Sequence, residues 1–238
     1  MEDSSWGRLI GVLFAPGKTF RSIAERPTWL PPFLVLLLLG LGVGLVLQTK
    51  VDPEEMVRGQ MEMIKADIPQ QQIDKAVEDA ENRSTGAKAG FTLIGLVVQA
   101  AIYAFVAFLF WAAFKLFGSE IDYVRSLATT LYAYMPLAVG SLINLPLMLS
   151  RESLTFEEAR EGGVVVSSLK ALAPEDAPAV TQSLLGSLDL FTIWTLVLLT
   201  IGYKAVAKVS TAVASGIIIL FWLIYVAGKL ALTAAFVR

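Results

Sequence analysis

Apolar residues fall into five long blocks, at 32–48, 91–117, 124–149, 190–209 and 212–237, separated by polar stretches. A helix rising 1.5 Å per residue needs about 17–25 residues to cross ~30 Å of hydrocarbon, and each block meets that length. The pattern predicts an all-α integral membrane bundle of five transmembrane helices. The turn between the last two blocks, with Lys204, Lys208, Ser210 and Thr211, is short enough to make them antiparallel neighbours. Residues 1–30 show another period: Trp6, Leu9, Ile10, Leu13 and Phe14 recur at i, i+3, i+4, i+7 and i+8, with Arg8 off that face. Pro16 ends this helix or starts the next, whose apolar Phe20, Ile23 and Ala24 oppose Lys18, Arg21 and Arg26. Short basic amphipathic segments beside a span lie in the headgroup plane, with Trp6, Phe14, Phe20 and Trp29 as interfacial anchors. The competing reading is that this face packs against the bundle.

Within the spans, Pro31-Pro32 stands at the start of the first, where proline costs no helical hydrogen bond. Gly40 and Gly44 form a G-x-x-x-G pair suited to close helix approach. Pro136 removes a backbone bond and should kink the third span. The polar loop 50–89 predicts two solvated helices. One starts at Asp52-Pro53-Glu54-Glu55, a cap followed by proline and acids; the other follows Pro69. The loop 150–186, punctuated by Gly162-Gly163, carries a mildly apolar stretch at 164–172 that can fold back onto the membrane surface. Residues 1–238 read as a single membrane domain. No cleavable signal peptide is read, because the first apolar run starts after about thirty residues.

Composition narrows the chemistry. Of 238 residues 55% are hydrophobic and 17% charged, too apolar for an ordinary soluble domain. Cysteine and histidine are absent, which removes disulfides, thiolate chemistry and the usual zinc and triad parts. With nineteen basic and twenty-one acidic residues, nucleic acid is not a partner. Pro16-Gly17-Lys18-Thr19 resembles the end of a phosphate loop, but Gly11 sits one residue too far upstream and no strand precedes it, so nucleotide binding is rejected. The nine acids and six bases of 50–89 lack the D-x-D-x-D-G arrangement of a calcium loop. No metal or cofactor is expected, and without G-x-S-x-G or H-E-x-x-H no enzyme is expected. Lys and Arg density in the short flanks, with fifteen of the acids in the two long loops, puts the N-terminus in the cytoplasm and the C-terminus on the opposite side.

Polar residues inside the spans fall on narrow helical arcs: Gln99 and Tyr103; Tyr134 and Asn144; Asp189, Thr192, Thr200 and Tyr203. Such seams turn inward in lipid, as a hydrated pathway or as glue between helices. Asp189 and Lys229, at similar depth on antiparallel neighbours, are expected to pair or share a cluster. Against this, Lys229 can snorkel alone and Asp189 can favour a helix N-terminus. The candidate intramembrane polar cluster is Asp189, Lys229, Tyr203, Trp194, Asn144, Tyr134 and Gln99.

Several short stretches carry a resemblance: Phe14-Ala15-Pro16 with Thr19-Phe20, Trp29-Leu30-Pro31, Tyr132-Ala133-Tyr134-Met135-Pro136, and Ser187-Leu188-Asp189-Leu190-Phe191-Thr192-Ile193-Trp194. In order and spacing the chain resembles the Yip-domain (Ypt/Rab-interacting protein) family, in its bacterial branch. The resemblance implies five spans, a cytoplasmic N-terminus and no catalytic site. Eukaryotic relatives are associated with trafficking, Rab binding and membrane shaping through a hydrophilic N-terminal region and an Asp-Leu-Tyr-Gly-Pro turn. This sequence has neither, so Rab binding does not carry over. The expected function is a non-enzymatic organiser or adaptor of membrane or partner proteins in the bacterial inner membrane. The alternative is a small-molecule, ion or lipid transporter or channel using the polar seams. The lipid bilayer is the expected partner, with a protein partner or a homo-oligomer beside it.

Overall fold

The computed structural model describes residues 4–64, 68–160, 163–165, 167–174 and 176–236. Gly162 of the expected Gly162-Gly163 pair and Val237 at the end of the expected fifth span lie outside them. Among the described residues the chain is helical, with isolated β-bridges joining Val51 to Leu154 and Ser168 to Asp189. In order the helices are α1 (Gly7–Phe14), α2 (Pro16–Glu25), α3 (Leu30–Lys50), α4 (Pro53–Met63), α5 (Gln70–Glu81) and α6 (Thr85–Leu116). There follow α7 (Tyr123–Ala133), α8 (Met135–Ser150), α9 (Phe156–Arg160), a 3₁₀ turn (Leu169–Leu172), α10 (Ala179–Gly186), α11 (Leu190–Ala207) and α12 (Thr211–Phe236).

Five stretches are long and apolar enough to cross a membrane: α3, α6, the α7–α8 stretch Tyr123–Ser150, α11 and α12. At 32 residues α6 is roughly 48 Å long, more than the hydrocarbon requires. It begins six residues before the apolar block that announces it, where Ser84 Oγ accepts from the Ala87 N–H at 3.2 Å and caps the first turn. The third span breaks at Tyr134, between α7 and α8. Pro136 has no N–H to offer the Tyr132 carbonyl, so the ladder is interrupted there. Pro146, by contrast, stays inside α8.

The chain forms two compact units. The first comprises Met1–Leu39, Leu96–Gly140 and Leu190–Ile224. Its core gathers Val12, Phe20, Ile23, Phe114, Leu131, Tyr132, Leu198, Tyr203 and Ile218. Here α11 packs along α2 and α7, and Gly202 makes the approach feasible. A Cβ at that position would lie 2.7 Å from Thr129 Cγ2 and 2.8 Å from Phe20 Cε1. Pro16 serves as the first residue of α2, and Ala15 makes the corner with φ −137° and ψ 55°. Folded at this corner, α1 and α2 dock onto α7. Phe20, expected among the interfacial anchors, is a correction: it is fully buried in this core. An apolar stripe meets protein as readily as lipid, and here the inner face of α2 meets Gly202.

The second unit comprises Gly40–Gly95, Ser141–Asp189 and Tyr225–Arg238. Asp52 caps α4, its Oδ1 accepting from the N–H of Glu54 at 2.8 Å, and Pro53 occupies the first turn. The two loop regions interlock. Val51 bridges Leu154 in parallel, Lys50 Nζ donates to the Arg151 carbonyl at 2.7 Å, and the Phe156 N–H donates to Glu55 Oε1 at 2.8 Å. Gly59 admits the Phe156 ring, which a Cβ would meet at 2.6 Å from Cγ. Beneath them Val46, Val51, Met148 and Leu154 form a small buried cluster. Arg58 pairs with Glu54 of its own helix at 2.7 Å and joins α4 to α5 through Asp74 at 3.2 Å, solvent-exposed contacts that contribute little.

Candidate functional site

In the first unit, Tyr203 and Tyr132 organise the buried polar groups. Ser126 has one hydroxyl proton and directs it to the Ala107 carbonyl at 2.7 Å. Tyr203 therefore donates across its 2.6 Å contact with Ser126 Oγ, and Thr130 donates to Tyr203 at 2.9 Å. This relay, from Thr130 through Tyr203 and Ser126 to Ala107, ties α7, α11 and α6 together. The Tyr203 ring lies flat on Phe114 with centroids 4.6 Å apart and against Phe110 at 5.1 Å. Every proton of the relay ends on an acceptor, so the cluster rigidifies the fold.

A second relay secures the N-terminal pair. Arg8 is 4% exposed although it lies off the apolar face of α1. Its Nη1 donates to the Arg26 carbonyl at 2.7 Å and to Thr28 Oγ1 at 3.2 Å. Thr28 contacts Tyr132 at 3.4 Å, and Tyr132 donates to the Ser5 carbonyl at 2.8 Å. Arg125 adds a bond from Nε to the Ala24 carbonyl at 2.7 Å and pairs with Asp122. Gln99 donates to Tyr103 at 2.8 Å, and the Tyr103 ring meets Tyr134 edge-on at 5.7 Å. Trp194 packs, partly buried, against the core.

In the second unit Asn144 on α8, Asp189 just before α11 and Lys229 on α12 hold the described residues between Gly163 and Ser187. Asn144 Oδ1 accepts from the Val165 N–H at 2.8 Å, and its side chain fills the space beside Gly163. Asp189 accepts from Ser167 Oγ and bridges Ser168, while the Leu169 N–H reaches the Leu188 carbonyl at 3.1 Å. Lys229 Nζ donates to the Ser183 carbonyl at 3.2 Å and to Ser187 Oγ at 3.1 Å. Thr233, one turn further on, donates to Ser183 Oγ at 3.3 Å.

The seven residues of the expected polar cluster thus divide. Tyr203, Trp194, Tyr134 and Gln99 belong to the first unit; Asp189, Lys229 and Asn144 belong to the second. Among the anchors, Trp6 is 57% exposed, Phe14 81% and Trp29 38%. Sequence reasoning missed Arg8, Thr28 and Ser126 as polar partners. No pattern in the sequence marked them: Arg8 lies off the apolar face, and Thr28 and Ser126 gain their partners from helices distant in sequence. Among the described residues no three acidic side chains converge on a point where a metal could sit.

Comparison with known proteins adds three findings. The family model described as the Yip1 domain matches residues 10–232. The chain is 25% identical over 221 residues to the membrane protein YknW of Bacillus subtilis (strain 168), covering 90% of this chain and 87% of that one. No solved structure matches.

Proposed function

Since the chain belongs to the Yip1-domain family, we propose that it is a non-enzymatic scaffold of the bacterial inner membrane, an organiser or adaptor. Residues 1–238 act in this reading as one Yip-like domain, with the N-terminus cytoplasmic and the C-terminus across the membrane. The observation that carries the proposal is how the intramembrane polar residues are used. Asn144, Asp189 and Lys229 each hydrogen-bond the 163–187 segment, and Tyr203 knits α6, α7 and α11. Polar groups spent on fastening chain segments suit a fixed support better than a permeation path, which needs partners that solute can displace. The surfaces offered to a partner are the α1–α2 pair, fastened through Arg8, Tyr132 and Arg125, and the interlocked α4, α5 and α9. A protein partner or a second copy of the chain would engage one of them.

Reconstitution in liposomes tests this. The scaffold reading expects ion leak and lipid flip-flop no faster than in protein-free vesicles, for wild type and for Asp189→Asn alike. Flux carried by the wild type and abolished by Asp189→Asn would replace the scaffold with a transporter.

A further inference from the structure

The α1 helix shows two unlike faces. Arg8 and Val12 are buried, while Trp6, Ile10 and Phe14, four residues apart, are 57%, 66% and 81% exposed. Eight residues span roughly 12 Å, too short to cross a bilayer. An apolar stripe of this length beside a span belongs at the water–hydrocarbon boundary. The charge around it selects a composition. Lys18, Arg21 and Arg26 are exposed on and just after α2, and Lys115, Lys204 and Lys208 are exposed elsewhere in the same unit. That unit holds eight basic against five acidic residues, whereas the other holds eleven against sixteen. The pair is also rigid in advance. Arg8 is fastened to Arg26 and Thr28, Ser5 to Tyr132, and Ala24 to Arg125. A surface already ordered loses little conformational entropy when it docks.

We propose that the α1–α2 pair is a preformed docking surface for an anionic phospholipid leaflet, with Trp6, Ile10 and Phe14 seated below the headgroups and Lys18, Arg21 and Arg26 at phosphate level. The surface recruits anionic lipid around the protein. This goes beyond the scaffold reading, because the choice of lipid is independent of whether solute crosses the bundle. The flux measurement and the one below can each fail without the other.

The absence of native cysteine allows single nitroxide labels at Ile10→Cys, Phe14→Cys and Arg21→Cys. The full chain is placed in nanodiscs of phosphatidylcholine mixed with phosphatidylglycerol, and accessibility to oxygen and to a nickel chelate is measured. Labels at 10 and 14 should favour oxygen, and the label at 21 should favour the chelate. Retained lipid should be enriched in phosphatidylglycerol over the bulk mixture. A basic residue at an anionic surface is worth roughly a fivefold preference. The Lys18→Gln/Arg21→Gln/Arg26→Gln variant should therefore retain phosphatidylglycerol at no more than its bulk proportion. If that variant does not fold, raising salt on the wild type should erode the enrichment in the same way. Three results would overturn the proposal: chelate-accessible labels at 10 and 14, enrichment indifferent to both charge removal and salt, or dipolar broadening between labels showing that protein covers the face.

Discussion

Gly202→Ala places one methyl group at the junction of α2, α7 and α11. The new carbon would stand 2.7 Å from Thr129 Cγ2, 2.8 Å from Phe20 Cε1 and 3.0 Å from Phe20 Cδ1. Carbon atoms settle at about 3.5–4.0 Å, so the neighbours must give by roughly 1 Å. Phe20 and Thr129 are both fully buried, so neither has free space to turn into. Overpacking of this kind costs about 1–3 kcal/mol. The yielding element should be α2, ten residues long and outside the five spans, because α7 and α11 are the Thr130–Tyr203 partners. Phe20→Ala alone empties a ring-sized space at about 3–5 kcal/mol. In the double variant the added methyl group enters that space. The two changes should then sum to less than their separate costs, by about 0.5–3 kcal/mol. Unfolding midpoints in detergent measure the cycle, and trypsin cleavage after Lys18 and Arg21 reports α2 docking. A Gly202→Ala protein within about 0.5 kcal/mol of wild type with unchanged cleavage would refute the close-approach argument. Strict additivity in the double variant would refute it too.

Two further substitutions probe the polar relays. Tyr203→Phe removes the hydroxyl between Thr130 and Ser126 and keeps the stack on Phe114; it should lower stability by about 0.6–1.7 kcal/mol, the range for hydrogen bonds within membrane proteins, as read by thermal unfolding in detergent. Arg8→Met keeps the stem and removes the bonds to Arg26 and Thr28, so hydrogen exchange should rise across α1 and α2 while the amides of α11 keep their protection.

The spans were legible because hydrocarbon imposes a composition on any helix that crosses it, and the five apolar blocks fall on α3, α6, the α7–α8 stretch, α11 and α12. The Asp52 cap and the break near Pro136 were legible for local reasons, a side chain that accepts from its own first turn and a missing N–H. Other features depend on tertiary context. Phe20 sits on the predicted apolar face of its helix, but periodicity reports only that a face avoids water and is silent on whether protein or lipid covers it. Helical arcs give direction and not depth. Asp189 and Tyr203 share a seam, yet fourteen residues separate them, roughly four helical turns. The elements α9, the 3₁₀ turn and α10 are four to eight residues long, too short for a period to show, and they are held from elsewhere in the chain: α9 by Glu55, the stretch around the 3₁₀ turn and α10 by Asn144, Asp189 and Lys229. Arg8 escaped notice because a charge off the apolar face suggests solvent, whereas here a backbone carbonyl receives it.

The account rests on intramembrane polar groups serving as fasteners, and hydrogen exchange on the nanodisc-embedded protein tests that most directly. Asn144→Leu, Asp189→Asn and Lys229→Met should each accelerate exchange within 163–187, with the combined variant fastest, while α11 and the α6 residues of the first unit stay protected. Unchanged protection of 163–187 in the combined variant would contradict the account.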